Sequence, residues 1–546
     1  MVELCDGLLE IENAAFQYCK SLKQISVPST VTQIQNRAFS DCKQLEELAL
    51  FDGLQTIGNE AFLHCNLLKR LRIPNTVRSI ESLAFCHAYQ LRHLRLPEGI
   101  ESIGAFTFSH IGMRAFYQCM SLKKIEIPST VIRIGEWAFA YIPLVNIRLP
   151  DCLESLGEYA VASCKFSILR IPPLITTIRS GLVESCEGLM SIELSESVTR
   201  IEFTLSCKSL RNVAIPHEVD LSIEWYNNAF CICDDLKQVF THDNMINALK
   251  DRFNNLPIHK LIYYQSYNNM TVDQLNNATS IRISRRRSKL DPSGSQQDCL
   301  GMTPLHIMTC STVQNIEMYK VLVTKYPGNL VIKDRWGAVP LLYAVWGDAP
   351  DEIVQFLVES YKSLYPDHAF NWTEMMVTLC KARVPNNVIR TLIDLHNEFV
   401  PNQMEQWIEE LAENEHISKI TFHILIQCGF TERVNAIGLI PLRIKLMRET
   451  MNLLKKYVLG SGSKVDWLDR VRSELVNYEE ECKRLKAGTT ILELALWKYK
   501  MEESDTKKKR KWTYGSDSDF REQCRVGCSA DIVIEHVLPF LVPRYE

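Results

Sequence analysis

One pattern of 23 residues, Ile-x3-Ala-Phe-x2-Cys-x2-Leu-x2-Ile-x-Ile-Pro-x2-Val-x2-Ile, recurs between Ile11 and Ile103. Ile11, Ile34, Ile57, Ile80 and Ile103 stand 23 apart each time, and Ala15-Phe16, Ala38-Phe39, Ala61-Phe62 and Ala84-Phe85 keep step. A fixed period in the twenties makes one coil per repeat, and no such coil buries its apolar face without neighbours. The first half is therefore a stack, and its use is as a surface. Within each repeat, a stretch such as Leu22 to Pro28 alternates like a short strand, and Pro closes it because it cannot donate to a ladder. Stacking these strands predicts one parallel sheet. The Ala-Phe-x2-Cys portion turns the chain back, with Phe inside.

The period then slips. Ile103 to Ile134 is 31 residues, and the excess, IGAFTFSH at 103–110, reads as a partial duplication forming a bulge or half-coil. Coils beginning near Ile134, Leu156, Ile178, Ile201 and Ile223 follow, and the last clear match is Ala229-Phe230-x2-Cys233-x2-Leu236-x2-Val239. About ten coils are expected over residues 1–240. This form of repeat resembles the BspA-type leucine-rich repeats. The resemblance implies a leucine-rich-repeat solenoid, and a binding or adhesion protein with no catalytic site of its own.

At 546 residues the chain is too long for one core unless that core is extended along an axis. Its 61 basic and 65 acidic side chains point to no class of partner. No apolar run approaches the ~20 residues of a membrane span. The first residues carry acids where a signal peptide would be basic, and the chain enters its first repeat with no cap ahead of it, as a truncated product would. Cys19, Cys42, Cys65, Cys119, Cys164, Cys186 and Cys233 share one slot of the repeat. A buried ladder of reduced thiols, each acting as a small hydrophobe, is expected there.

Beyond Val239 the alternation gives way to helical spacing, as in Met245-Ile246-x2-Leu249-x3-Phe253. Asp298-x2-Gly301-x-Thr303-Pro304-Leu305-His306 resembles the ankyrin signature, in which Pro opens a helix and Thr and His hydrogen-bond across the turn. A weak form stands at Leu256 to Leu261, and degenerate echoes at Gly337 to Leu342, Gly438 to Leu442 and Gly488 to Leu492. Helices are expected over 352–361, 388–399, 405–412 and 440–458. Ile281 to Gln297 and Met501 to Arg525 read as loops or disorder. The fold class is thus an α/β solenoid with a parallel sheet over 1–240, a helical junction with a basic loop over 241–297, and an all-α ankyrin-like region over 298–546. This layout is similar to that of uncharacterised diatom leucine-rich repeat proteins.

Phosphate-loop, nucleophile-elbow, zincin and dinucleotide motifs are absent from the sequence. Cys524-x3-Cys528 and Cys231-x-Cys233 lack the second pair that zinc requires. No cofactor, metal or catalytic residue is proposed on these grounds. His306 reads as a structural hydrogen-bonding residue. The Asn-x-Thr sites at Asn269, Asn277 and Asn371 matter only in a secreted protein.

The strands carry the functional signal. If Ile25 and Val27 and their equivalents point inward, the residues between them point outward. Those positions hold Arg70, Arg72, His93, Arg95, Lys124, Arg148 and Arg170, a basic stripe. Like charges on adjacent strands repel unless acids or a ligand answer them. The stripe is therefore a candidate site for an acidic or phosphorylated protein segment, against the plainer reading of a solvated face balanced by acids on neighbouring turns. Lys507, Lys508, Lys509, Arg510 and Lys511 form a candidate nuclear-import signal. The arginines at 282 and 285–287 lack the interleaved aromatics that single-stranded nucleic acid favours. The sequence thus predicts a cytoplasmic, non-enzymatic scaffold or adaptor, with nuclear entry through that basic run. Its alternatives are a substrate-recruiting subunit of a larger enzyme complex and a surface or secreted adhesin.

Overall fold

A computed structural model of the chain describes residues 2–96, 110–111, 114–202, 207–219, 233–284, 287–401, 403–418 and short stretches between 420 and 484. The chain divides into two compact units, Met1–Leu392 and Ile393–Glu546.

In the first unit two parallel ladders run along the stack. One is Val2–Glu3, Gln24–Ser26, Glu47–Ala49, Arg70–Arg72 and His93–Arg95, each hydrogen-bonded to the next. It resumes as a bridge between Lys124 and Asn146 and as paired Ile168–Arg170 and Ser191–Glu193. The other ladder sets Ile34 against Ile57 and Ile57 against Ile80, all three buried. About eight turns of solenoid result. The coils expected to use residues 97–109, 203–206 and 220–232 lie outside the described residues.

One step of the register differs from the sequence reading. Ile80 pairs with Ile111 rather than with Ile103, and Ile111 pairs in turn with Ile134. The step of 31 therefore falls between Ile80 and Ile111 rather than between Ile103 and Ile134, with the segment at 103–110 immediately ahead of Ile111 in the sequence. The reason lies in the core: Phe116, five residues past Ile111, stacks on Phe85 at 5.4 Å, as Phe85 stacks on Phe62 at 5.2 Å. Ile103 matches the period but is followed at that offset by Thr107-Phe108, where Ile111 is followed by Ala115-Phe116.

Phe16, Phe39, Phe62, Phe85, Phe116 and Phe139 form a column of nearly parallel rings 5.0–5.7 Å apart. The thiol slot lies beside it. Cys42, Cys65, Cys119, Cys164 and Cys186 are fully buried, while Cys19 is half-buried. Each buried thiol donates to a main-chain carbonyl of the preceding coil, as Cys65 does to Phe39 at 3.4 Å and Cys186 to Val161 at 3.3 Å. Burial pushes the Cys186 thiol up to about 12, so it stays protonated and remains a donor.

The coils from Ala14 to Ser185 whose turns are described each use two left-handed residues, for example Arg37 and Asp41 at φ 57° and 59°, or Glu60 and His64 at 56° and 59°. That conformation costs an L-residue about 1–2 kcal/mol. It also points alternate N–H groups at the next coil: Arg37, Phe39 and Asp41 donate to the carbonyls of Asn59, Ala61 and Leu63 at 2.7–2.8 Å. Ser185 is an exposed member of this set at φ 57°. Ser185→Gly is expected to raise stability by up to about 1 kcal/mol and Ser185→Val to lower it by about as much or more, read by urea denaturation.

Helix replaces strand at Asp234. The Leu236 to Val239 stretch, expected to be the last strand, is helical, with Asp234 and Asp235 in the first turn where the helix dipole favours acids. The helices of the first unit are α1 (Asp234–Val239), α2 (His242–Lys250), α3 (Pro257–Tyr263), α4 (Gln265–Asn268), α5 (Val272–Ala278), α6 (Pro304–Thr309), α7 (Ile316–Lys325), α8 (Pro340–Trp346), α9 (Asp351–Leu364) and α10 (Trp372–Lys381). Asn386–Phe399 and Met404–Ala412, also helical, cover two further stretches where the sequence places helices; 440–458 lies outside the described residues. The basic segment expected to be a loop is instead an antiparallel hairpin, Ser280–Ser284 with Arg287–Leu290, followed by a short 3-10 turn capped by Asp291. Alternating Ser280-Ile281-Arg282-Ile283-Ser284 carried that signal, masked by the arginine count.

Two Asp-x2-Gly turns order the helical region. Asp298 Oδ1 accepts from Leu300 and Met302 N–H at 2.9 and 2.8 Å, and Asp334 Oδ1 from Trp336 and Ala338 at 2.9 Å each. Gly301 and Gly337 complete them at φ 75° and 77°. His306 is buried, which lowers its pKa, and its Nδ1 accepts from the Thr303 N–H at 3.2 Å while Nε2 reaches the Ala338 carbonyl at 3.2 Å. It is a structural residue of the turn.

In the second unit, the His396 ring stacks on Trp407 at 4.0 Å, and burial pushes the imidazole down to about 4. Arg472 is ion-paired to Glu409.

Candidate binding face

The strand geometry explains which side chains face outward. Ile25, Leu48 and Leu71 are buried, whereas Glu47, Ala49, Arg70 and Arg72 are exposed. Register places Glu47 beside Arg70, Arg70 beside His93, and Arg72 beside Arg95. Lys124 and Arg148 are exposed on later coils, as is Glu126. Four of the seven stripe positions, Arg70, Arg72, His93 and Arg95, thus lie on two adjacent strands, and Lys124 stands on the next coil with a described strand position.

Two adjoining grooves lie on this face and share Arg70. One, of about 470 Å³, is bounded by Gln24, Glu46, Glu47 and Lys69. Its acids are engaged: Lys69 Nζ lies 2.6 Å from Glu46 Oε2, and Gln24 donates to Glu47 at 2.9 Å. The other, of about 440 Å³, has Leu71, Leu94 and Ile125 as its floor and Arg70, Arg72, Arg92, Lys124 and Glu126 around it. Among the described residues around it, four cations accompany one carboxylate. Among the described residues, Arg70, Arg72, Arg92 and Lys124 have no side-chain hydrogen bond or ion pair, and the nearest acids on this face are Glu47, beside Arg70 in register, and Glu126 in the groove. Arg92 was missed by the strand alternation because it stands one residue before the strand. The signal was there all the same: Lys23, Glu46, Lys69 and Arg92 repeat at that slot every 23 residues.

Arg170 departs from the expectation. Its guanidinium pairs with Asp151, donates to the Ser266 carbonyl at 3.2 Å and lies 4.3 Å over the Tyr267 ring. It is part of a packed junction and is not open to a partner. From this coil onward the helices cover the sheet. Glu193 is buried, accepting from the Thr312 N–H at 2.8 Å and from the Ser266 hydroxyl at 2.9 Å. Trp346 Nε1 donates to the Gly188 carbonyl at 2.9 Å. Lys507 to Lys511 lie outside the described residues. Among the described residues no group of His, Cys, Asp and Glu is arranged to hold a metal ion, and no helix is long and apolar enough to cross a membrane.

The family described as "BspA type Leucine rich repeat region" matches residues 9–111, 109–222 and 203–319, in six copies. The chain belongs to this family. Solved structures similar to the chain include a leucine-rich repeat protein from Bacteroides ovatus, 21% identical over 39% of this chain and 78% of that one, with a TM-score of 0.26. A leucine-rich cell surface protein from Faecalibacterium prausnitzii is 24% identical over 42% of this chain and 81% of its own, TM-score 0.22. The leucine-rich repeat protein of Treponema pallidum is 28% identical over 29% of this chain and 86% of its own, TM-score 0.22. A search of curated proteins gives no match. BspA-type proteins are typically non-enzymatic binding or adhesion proteins, and leucine-rich repeats in general serve protein interaction or surface display.

Proposed function

We propose that this BspA-type chain is a non-enzymatic scaffold whose open sheet face holds an acidic or phosphorylated protein segment. One observation carries the reading: Arg70, Arg72, Arg92 and Lys124 ring a single groove in which Glu126 is the one acid among the described residues. Strands fix the backbone beneath these side chains, so their charges stay together despite repulsion, and a polyanionic segment relieves it. The ankyrin-like turns of the helical region offer a second surface, which makes an adaptor of the whole.

Affinity capture with the intact chain tests this, repeated with Arg70, Arg72 and Arg148 changed to Glu. These three are exposed, so the variant is expected to fold and to lose the partners that the native bait retains. Recovery of the same proteins by both baits would sink the reading. Import into the nucleus through Lys507 to Lys511 is a separate proposal: a fluorescent fusion should leave the nucleus when these five become Ala.

A further inference from the structure

The covered end of the sheet shows what this face accepts. From Pro257 to Asn268, α3 and α4 run nearly without interruption, since Tyr264 N–H donates to Lys260 and Asn268 N–H to Tyr264 at 3.1 Å each. Two tyrosines four residues apart meet the sheet. The Tyr263 hydroxyl donates to the Ile192 carbonyl at 2.8 Å and accepts from Leu194 and Ala214 N–H at 3.3 and 3.1 Å. The Tyr267 hydroxyl sits one coil earlier, 2.7 Å from the Ile171 carbonyl and 2.8 Å from that of Glu193. Four residues of helix rise about 6 Å, and neighbouring strands lie about 4.8 Å apart, so a helix inclined by roughly 35–40° to the stacking direction advances one coil every four residues. Each tyrosine closes the end of two neighbouring strands. Arg170 lies over the second ring and binds the helix main chain through Ser266.

The chain's own helix stops one turn short. Asn269 enters the left-handed region at φ 45° and turns the backbone away. The next coil back carries Arg148 and Leu149 at the sequence positions of Arg170 and Ile171. Arg148 is exposed and, among the described residues, without a side-chain partner, whereas Arg170 has three.

We propose that the open face binds an external helix carrying tyrosines at positions i and i+4 beside acids, laid along the solenoid axis as a continuation of α3 and α4, with Arg148 covering one of its tyrosine rings. This rests on the reading of the basic face as a binding site and names the chemistry of the occupant. The stacking of the uncovered coil on the covered one, where the Lys165 N–H donates to the Leu144 carbonyl at 2.8 Å, supports it, as does the advance of one coil per four residues in an inclined helix. The unanswered cations farther along, Arg72 and Lys124, would meet the acids of the same helix.

The test uses the full chain and a fluorescently labelled, stapled acidic helix with the tyrosine pair, set against the same helix with both tyrosines changed to alanine. Anisotropy titrations should show the tyrosine helix binding about tenfold tighter, consistent with one desolvated cation–π contact and a hydrogen bond. Arg148→Ala should remove that difference while leaving the weaker binding of the alanine helix in place. Arg148→Lys should restore only part of it, because an ammonium does not lie flat on a ring. Equal binding of both helices, abolished by Arg70→Glu with Arg72→Glu, would overturn the tyrosine proposal and leave the acidic-partner reading standing. Binding of neither helix would overturn both.

Discussion

Replacing Asp298 with Ala is expected to destabilise the first unit by about 3–5 kcal/mol, because it strands a buried guanidinium. Arg252 and Asp298 side chains are both fully inaccessible, with Nε 2.7 Å from Oδ2. Arg252 Nη1 donates to the Val213 carbonyl at 2.9 Å, so the pair also ties the helices to the last described coil. The other carboxylate oxygen holds the turn at Leu300 and Met302. Asp298→Asn keeps an acceptor for those N–H groups but not the charge, and should lose less. Asp298→Asn combined with Arg252→Met should recover part of the loss, since no lone charge remains buried. Hydrogen exchange over residues 296–310 gives a local readout; protection unchanged in Asp298→Ala would refute the account.

Phe62→Ala is expected to cost about 3–5 kcal/mol, since it opens a ring-sized void in the middle of the phenylalanine column. Phe62 is fully buried between Phe39 at 5.1 Å and Phe85 at 5.2 Å. Its N–H donates to the Ala84 carbonyl, so its backbone also joins one coil to the next. In a linear stack each coil is stabilised mainly by its neighbours, so the loss should be felt on both sides of the void. Combining it with Phe39→Ala should fall short of the sum of the two, because the contact between the rings is then counted only once. Urea denaturation followed by circular dichroism measures this. A loss below 1 kcal/mol would mean the column is decoration on a stack held by its main chain.

The ladders were legible because identical side chains at equal spacing can share one buried column, and Ile34, Ile57 and Ile80 do. Spacing alone misled at Ile103, where the period and the phenylalanine, Phe108, held but Thr107 stands in place of the alanine. The exposed basic positions were legible too, since a strand alternates; Arg92, just outside the alternation, was not. Nothing local to Arg170 could reveal that its face is covered, because its partners Ser266 and Tyr267 are 96 and 97 residues away in sequence. Asp298 was visible as a motif member, but its role as the counter-charge of Arg252 depends on a contact 46 residues distant.

The repeated turn, with its N–H groups of Arg37, Phe39 and Asp41 reaching across to Asn59, Ala61 and Leu63, has a genetic corollary. In-frame duplication or loss of one whole period among the uncovered coils would rejoin equivalent positions, letting the gene lengthen or shorten the open face without redesigning its interior. The coils gripped by Tyr263, Tyr267 and Trp346 have no such freedom, so growth of the recognition surface is confined to the part of the stack that precedes them.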